Sequence, residues 1–230
     1  MRILCLTCEA LARPAYHCAA LSPHIVDVVL VERGLHHRPG DLREMLQQYI
    51  NAASSQRYNY VTLAYGLCGK ATAGLSAATV PLVIPRVHDC ISLFLGSRQR
   101  YQEQFEQHPG TYWYAQDYIE RAEGTATSLS MGSDFEEDIR KVYDEYVRKY
   151  GQDNADYLME VMGAWKQHYQ RAVFIEMGIS NGTEVETRAR EEALRRGWTF
   201  ERMAGDLLLI RRLLFGEWEN NDYADFLVLQ

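Results

Sequence analysis

Tyr60-Val-Thr-Leu-Ala-Tyr-Gly-Leu-Cys-Gly69 is a run of apolar and β-branched residues that gives way to a glycine-rich turn. It reads as a buried strand delivering its carboxyl end to a loop. Two other segments repeat the arrangement: Arg2-Ile-Leu-Cys-Leu-Thr7 runs into Cys8, and Leu82-Val-Ile84 ends at Pro85 with His88-Asp-Cys90 just beyond. Ile25-Val-Asp-Val-Val-Leu-Val31, rich in β-branched residues, reads as a further strand. Between the strands the apolar spacing changes to a helical period, from about Ala10 to Leu21 with Pro14 in the first turn, and from Leu42 to Ala53 after a break and cap at Pro39-Gly-Asp41. Such alternation predicts βαβ units with right-handed crossovers. The expected fold is therefore a single α/β domain over 1–230 with one mainly parallel sheet, Rossmann-like and three-layered.

Beyond the third cysteine the pattern becomes helical, with Asp89 as N-cap and Ile91, Phe94 and Leu95 on one face as far as about Phe105. The aromatic segment His108-Pro-Gly-Thr-Tyr-Trp-Tyr114 reads as a strand or a site-facing loop. Dense charge interleaved with Tyr, Leu and Met predicts a helical insertion over 134–169, two helices parted near Gly151. Strand returns at Ala172-Val-Phe-Ile175, followed by a helix from about Glu186 to Arg196, a strand or turn near Thr199 to Arg202, a helix near Asp206 to Phe215, and a last strand, Phe226-Leu-Val-Leu229.

The 230 residues are 47% hydrophobic, enough for one substantial core without disulfides. With a formal charge of -7 and no long run of Lys or Arg, nothing attracts a phosphate backbone over a wide surface, so neither nucleic acid nor an anionic membrane is an expected partner. The opening Met1-Arg-Ile-Leu-Cys-Leu has no secretory leader character, and no apolar run is long enough to span a bilayer, which points to the cytoplasm. In a reducing compartment five cysteines are ligands, catalysts or packed hydrophobes rather than disulfides.

Cys8, Cys68 and Cys90 each follow a strand, and parallel strands end at one edge, where α/β proteins bind ligands. Taken singly each thiol reads as a small packed hydrophobe. Taken together, with His88 beside Cys90, they read as a metal site. Three thiolates and one imidazole make a closed zinc site, whereas three protein ligands leave a position open for substrate. The alternative cofactor is a four-iron iron-sulfur cluster held by the three thiolates. Cys5 faces away from Leu4 and Leu6, and Cys18 lies inside a helix, so both read as core. The candidate substrate contacts are Gly66 and Gly69, which let backbone amides approach a ligand, Arg86 as a carboxylate or phosphate clamp, and Tyr65 and Tyr112 in an aromatic wall with Tyr101 and Trp113. Gly66 to Gly74 lacks the Walker spacing, and Lys70 supplies only a charge. Glu9 and Glu176 are candidates for a general base or a partner to His88.

The His-x-Cys element resembles that of zinc enzymes that alkylate a thiol, such as the cobalamin-independent methionine synthases and the coenzyme M methyltransferases, which are built on a different barrel. Tyr65-Gly-Leu-Cys-Gly69, Ile84-Pro-Arg-Val-His-Asp-Cys-Ile91, Phe94-Leu-Gly-Ser97, Pro109-Gly-Thr-Tyr112 and Asp225-Phe-Leu-Val-Leu229 together resemble an uncharacterised prokaryotic family, the domain of unknown function 1638. That resemblance maps shared residues onto Cys8, Cys68, His88 and Cys90. Its members are often encoded near corrinoid proteins and methylamine-type methyltransferases, which implies one-carbon metabolism. The expected function is a zinc metalloenzyme of one-carbon or corrinoid-linked methyl transfer, acting on a small molecule or a corrinoid protein. The alternatives are an iron-sulfur protein of electron transfer or dehydration and a non-catalytic accessory that binds a corrinoid or metal.

Overall fold

Seven short parallel strands and one antiparallel strand make up the sheets of the computed structural model, which describes residues 1–121, 169–218 and 225–230 and the isolated positions 147, 148, 151, 152 and 154. The helical insertion expected over 134–169 lies, apart from a few positions, outside the described residues. The chain opens with β1 (Arg2–Cys8), a 3-10 turn at Glu9–Leu11, α1 (Ala12–Leu21) and β2 (Ile25–Val31). A second 3-10 turn at Arg33–His37 leads to α2 (Pro39–Ala52), β3 (Tyr60–Ala64) and β4 (Leu82–Pro85). Then come α3 (Cys90–Leu95), α4 (Arg98–Gln107), β5 (Thr111–Ala115) and α5 (Gln116–Glu120). The last described elements are β6 (Arg171–Glu176), α6 (Thr183–Arg195), β7 (Thr199–Ala204), α7 (Leu208–Phe215) and β8 (Phe226–Leu229).

The first sheet has the order β2-β1-β3-β4-β8, parallel except for β8, which pairs antiparallel with β4. From β1 the chain steps outward to β2 and then back across to β3, so successive right-handed crossovers send α1 and α2 to opposite faces. β1 is consequently covered on both sides, and its residues from Ile3 to Cys8 are buried without alternation. β2 is an edge strand and carries a polar residue, Asp27, within its apolar run. The Asp27 carboxylate accepts the Tyr58 hydroxyl at 2.9 Å and pairs with Arg2 and Arg57.

The α/β class and the mainly parallel sheet are as expected, but the strands fall into two sheets rather than one. β8 closes the free edge of β4, and β5-β6-β7 pair in parallel among themselves. Trp113 and Ala115 of β5 and Val173 and Ile175 of β6 face the main core, which they share with β1, β3 and β4. The alternate residues Tyr112, Tyr114, Ala172 and Phe174 form a second core with Val185, Ala189 and Ala193 of α6. At about 1.5–3 kcal/mol for each large apolar side chain buried, these two faces fix the second sheet between α6 and the rest of the molecule. Asp117 fastens α5 to α1, its buried carboxylate accepting the Arg13 backbone N–H at 3.0 Å and the Arg13 guanidinium at 2.6 Å.

Beyond shifts of two or three residues at the ends of α6, β7 and α7, two boundaries differ from the sequence reading. Pro39-Gly-Asp41 forms the first turn of α2 instead of preceding it, because proline at a helix start already has the required φ and lacks only an amide the helix does not use. The helix expected from Asp89 to about Phe105 is two helices. Gly96 is left-handed (φ 67°) and ends α3, and Ser97 caps α4 by accepting the Arg100 N–H. Among the described residues no helix is long and apolar enough to cross a membrane.

Candidate functional site

The pairing of β3 with β4 continues past the ends of both strands. The Leu67 N–H donates to the Val87 carbonyl at 2.9 Å and the Cys68 N–H to the His88 carbonyl at 3.2 Å, so the two loops run side by side. Gly66 permits this approach, since a Cβ there would lie 2.4 Å from the Asp89 Cα. The Thr72 hydroxyl ties the turn back by donating to the Gly66 carbonyl. Cys68, Gly69 and Lys70 are successively left-handed, with φ of 44°, 64° and 71°, and Cys68 and Lys70 are the two non-glycine residues with positive φ among the described residues. That conformation costs an L-residue about 1–2 kcal/mol and persists where the surroundings over-determine it. Cys90 opens α3 directly after Asp89, and Cys8 ends β1 between β2 and β3, at the point where the strand order reverses.

Burial raises all three thiols. Cys8 is pushed up to about 11 and Cys68 to about 12, and Cys90 is held well above the usual thiol range. After burial, the neighbouring Cys8 raises Cys68, and Cys68, Asp89 and Cys8 raise Cys90. The three sulfurs thus lie within one another's electric field, and at neutral pH each is a neutral thiol. Tyr65 stands among them, 2% exposed, its hydroxyl without a hydrogen-bond partner among the described residues. Burial and the surrounding Cys8, Cys68, Cys5 and Cys90 hold that phenol well above its ordinary range. Cys5 takes the other face of β1, beside Thr62 and Cys18, and belongs with Cys18 to the core.

Asp89 organises the mouth. One carboxylate oxygen accepts the Ile91 and Ser92 N–H groups and caps α3, and the other accepts the Tyr101 hydroxyl at 2.8 Å and lies 3.1 Å from His88 Nδ1. The hydrogen bond to Asp89 raises the pKa of His88, whose side chain is 72% exposed and whose ring stacks on Tyr101. The cavity between these groups has a volume of about 220 Å³, with Cys68, Gly69, His88 and Cys90 on one side and Tyr101, Trp113 and Tyr169 among the residues on the other.

The structure therefore brings Cys68, Gly69, His88 and Cys90 to one cavity and puts Cys8 and Tyr65 behind its wall. Gly66 serves by backbone contact. Arg86 lines adjoining grooves rather than the cavity. Tyr112 is buried in the second core, against Tyr114, Tyr169 and Trp198, while Trp113 takes the cavity side. Glu9 accepts the Arg33 N–H and Glu176 the Gly178 N–H, and the carboxylate partner of His88 is Asp89. His36, Phe105 and His108 also line the cavity and were not singled out from the sequence. His36 lies just beyond β2, so the rule that ligands gather beyond the carboxyl ends of strands, applied to this strand as well, would have found it. Among the described residues no group of three or more His, Cys, Asp or Glu side chains converges closely enough to hold one metal ion.

A family model described as "Protein of unknown function (DUF1638)" matches residues 30–214. No curated protein and no solved structure matches the chain.

Proposed function

The chain belongs to the DUF1638 family, and from the geometry of its site we propose that it is a metal-binding protein whose ion or cluster is held by Cys8, Cys68 and Cys90, with His88 at the entrance. Its activity on this reading is that of a metalloenzyme of one-carbon or corrinoid-linked methyl transfer. The observation that carries the reading is that three thiols brought in at or beyond the ends of β1, β3 and β4 lie within one another's field, around a buried phenol hydroxyl that has no partner among the described residues. An unsatisfied buried hydroxyl costs about 1–3 kcal/mol, and a thiolate sulfur is an acceptor that would answer it. The donor set also fits the chemistry. Thiols pushed this far up ionise for a cation and otherwise stay neutral, and all-sulfur ligation suits zinc or an iron-sulfur cluster.

Zinc held by Cys8, Cys68 and Cys90 would supply a Lewis acid able to keep a substrate thiol in its nucleophilic, deprotonated form. The chain's own groups do the rest. Asp89 fixes the His88 ring through Nδ1 and leaves Nε2 available to take the proton of an incoming thiol. Tyr101 and Trp113 wall the cavity and limit water beside the sulfurs. A second reading, a four-iron cluster, is favoured by the spacing of the ligands. The thiols share one another's field without converging into a single ion's shell, and a cluster stands between its thiolates.

The test is metal and sulfide analysis, with a visible spectrum, of the full chain purified anaerobically and reconstituted with zinc or with iron and sulfide, beside Cys90→Ser. About one zinc per chain without a visible band supports thiol activation, and iron with sulfide and broad visible absorption supports the cluster. Failure to retain either, or undiminished stoichiometric metal in Cys90→Ser, refutes the proposal.

A further inference from the structure

Two open grooves flank the thiol cavity on the β4 side and meet at Arg86, His88 and Arg98. The smaller, about 320 Å³, passes over Val87, Tyr101 and Phe105. The larger, about 570 Å³, runs over an apolar floor that includes Leu67, Leu75, Ile84 and Leu227. Among the described residues no Asp or Glu lines either groove, although the chain as a whole carries a charge of -7. Several other arginines are answered by carboxylates, Arg2 by Asp27, Arg171 by Glu201, Arg211 by Glu217 and Arg212 by Asp225, and Arg43 and Arg100 by backbone carbonyls. The exposed side chains of Arg86 and Arg98 have no such partner among the described residues. Both are nonetheless mounted on fixed backbone. The Arg86 N–H donates to the Asp225 carbonyl at 2.7 Å directly after β4, and Arg98 opens α4 under the Ser97 cap. A guanidinium is permanently charged, and its fork of N–H donors matches the oxygens of a carboxylate, phosphate or sulfonate.

We propose that this junction is an oxyanion-binding site for a small amphipathic ligand, its anionic group held between Arg86 and Arg98 and its apolar body lying along the groove over Leu67, Leu75 and Leu227. Among the described residues the nearby carboxylates are already engaged, Asp225 by Arg212 and Asp89 by His88 and Tyr101, so the two guanidinium groups favour small anions at the junction in a chain of opposite overall sign. The apolar floor distinguishes this ligand from a bare inorganic anion. The site needs no metal, so it is tested apart from the thiol centre.

The experiment is calorimetric titration of the full chain, metal-free and at constant ionic strength, with inorganic phosphate, hexyl phosphate, hexanoate and uncharged hexanol. Hexyl phosphate or hexanoate is expected to bind saturably and more tightly than inorganic phosphate, with hexanol not binding. Arg86→Gln and Arg98→Gln should each weaken the anion at least tenfold, and Arg188→Gln, an exposed change on α6, should leave it unaltered. Whichever anionic probe binds better identifies the preferred oxyanion. Arg86→Lys, which keeps the charge and loses the fork, should fall between wild type and Arg86→Gln. Absence of saturable binding, or binding unchanged in both glutamine variants, overturns the site, and hexyl phosphate binding no tighter than inorganic phosphate overturns the role of the apolar floor.

Discussion

Replacing Gly66 by alanine places one methyl group where the two site loops touch. The added Cβ would meet Asp89 at Cα, N and C, at 2.4, 2.6 and 2.7 Å. All three atoms are backbone, so no side chain can swing aside, and the loops must part by about 1 Å to restore ordinary contact. Parting them breaks or stretches the Leu67 to Val87 and Cys68 to His88 hydrogen bonds. Each is worth about 1 kcal/mol, and overpacking adds about 1–3 kcal/mol. The sum is roughly 3–5 kcal/mol, a fall in Tm of about 10 °C at the 2–4 °C per kcal/mol typical of chains this long. Gly40→Ala is the control: it lies in the first turn of α2 with nothing within 4 Å of the new Cβ, and should be neutral or stabilising by about 0.5 kcal/mol. Urea denaturation followed by tryptophan fluorescence measures both. Alkylation of Cys68 adds a local readout, because parted loops expose its sulfur. A Gly66→Ala protein within about 0.5 kcal/mol of wild type, with Cys68 no more reactive, would refute the claim that close backbone contact builds the site.

Tyr65→Phe removes the unpartnered buried hydroxyl, so it should stabilise the metal-free chain by about 1 kcal/mol and weaken metal retention by at least about tenfold; unchanged affinity in a chelator competition would remove Tyr65 from the site. Because Cys8, Cys68 and Cys90 are neutral thiols at pH 7, zinc binding should release close to three protons, and affinity should climb with pH by up to about a thousandfold per unit. Calorimetry in buffers of different ionisation enthalpy reads the count, and zinc uptake with no proton release would exclude the thiols as ligands. Asp117→Ala leaves the Arg13 backbone N–H without its acceptor and removes the buried one of the two carboxylates that tie Arg13 of α1 to α5, the other being Glu120. With Arg13 and Arg121 partly exposed and free to turn to water, the expected loss is about 2–3 kcal/mol by urea denaturation, and a loss under about 1 kcal/mol would show that Asp117 does not fasten α5 to α1.

What could be read in advance follows from what each residue needs from its neighbours. β2 and β8 have the expected bounds because β-branched or apolar runs with polar flanks carry their own limits. The separation of Cys5 from Cys8 was legible because three residues along a strand reverse the face. Period alone does not say which of two aromatic neighbours faces which core, so Tyr112 and Trp113 could not be told apart until β5 was paired with β6 and covered by α6. The break at Gly96 depends on a distant segment: the Asp206 N–H donates to the Phe94 carbonyl, and Asp206 packs against Gly96 where a Cβ would clash. Arg98 reads like any surface arginine in one dimension. Its lack of an acidic partner is a property of the assembled surface.

The antiparallel closure of the first sheet has a consequence for biosynthesis. β4 is buried along its whole length, and its outer edge is covered by β8, with Leu82 opposite Leu229 and Pro85 opposite Phe226. On a ribosome adding about 5–20 residues per second, roughly 140 residues separate the emergence of Pro85 from that of Phe226, a delay on the order of ten seconds. During that interval the nascent chain presents an apolar strand edge of the kind that recruits other chains. Pro85, which has no N–H to offer, blunts one end of it. The yield of correctly folded chain should therefore respond to holding factors at the ribosome, and to elongation rate over the second half of the message, more than to any substitution in the thiol cavity.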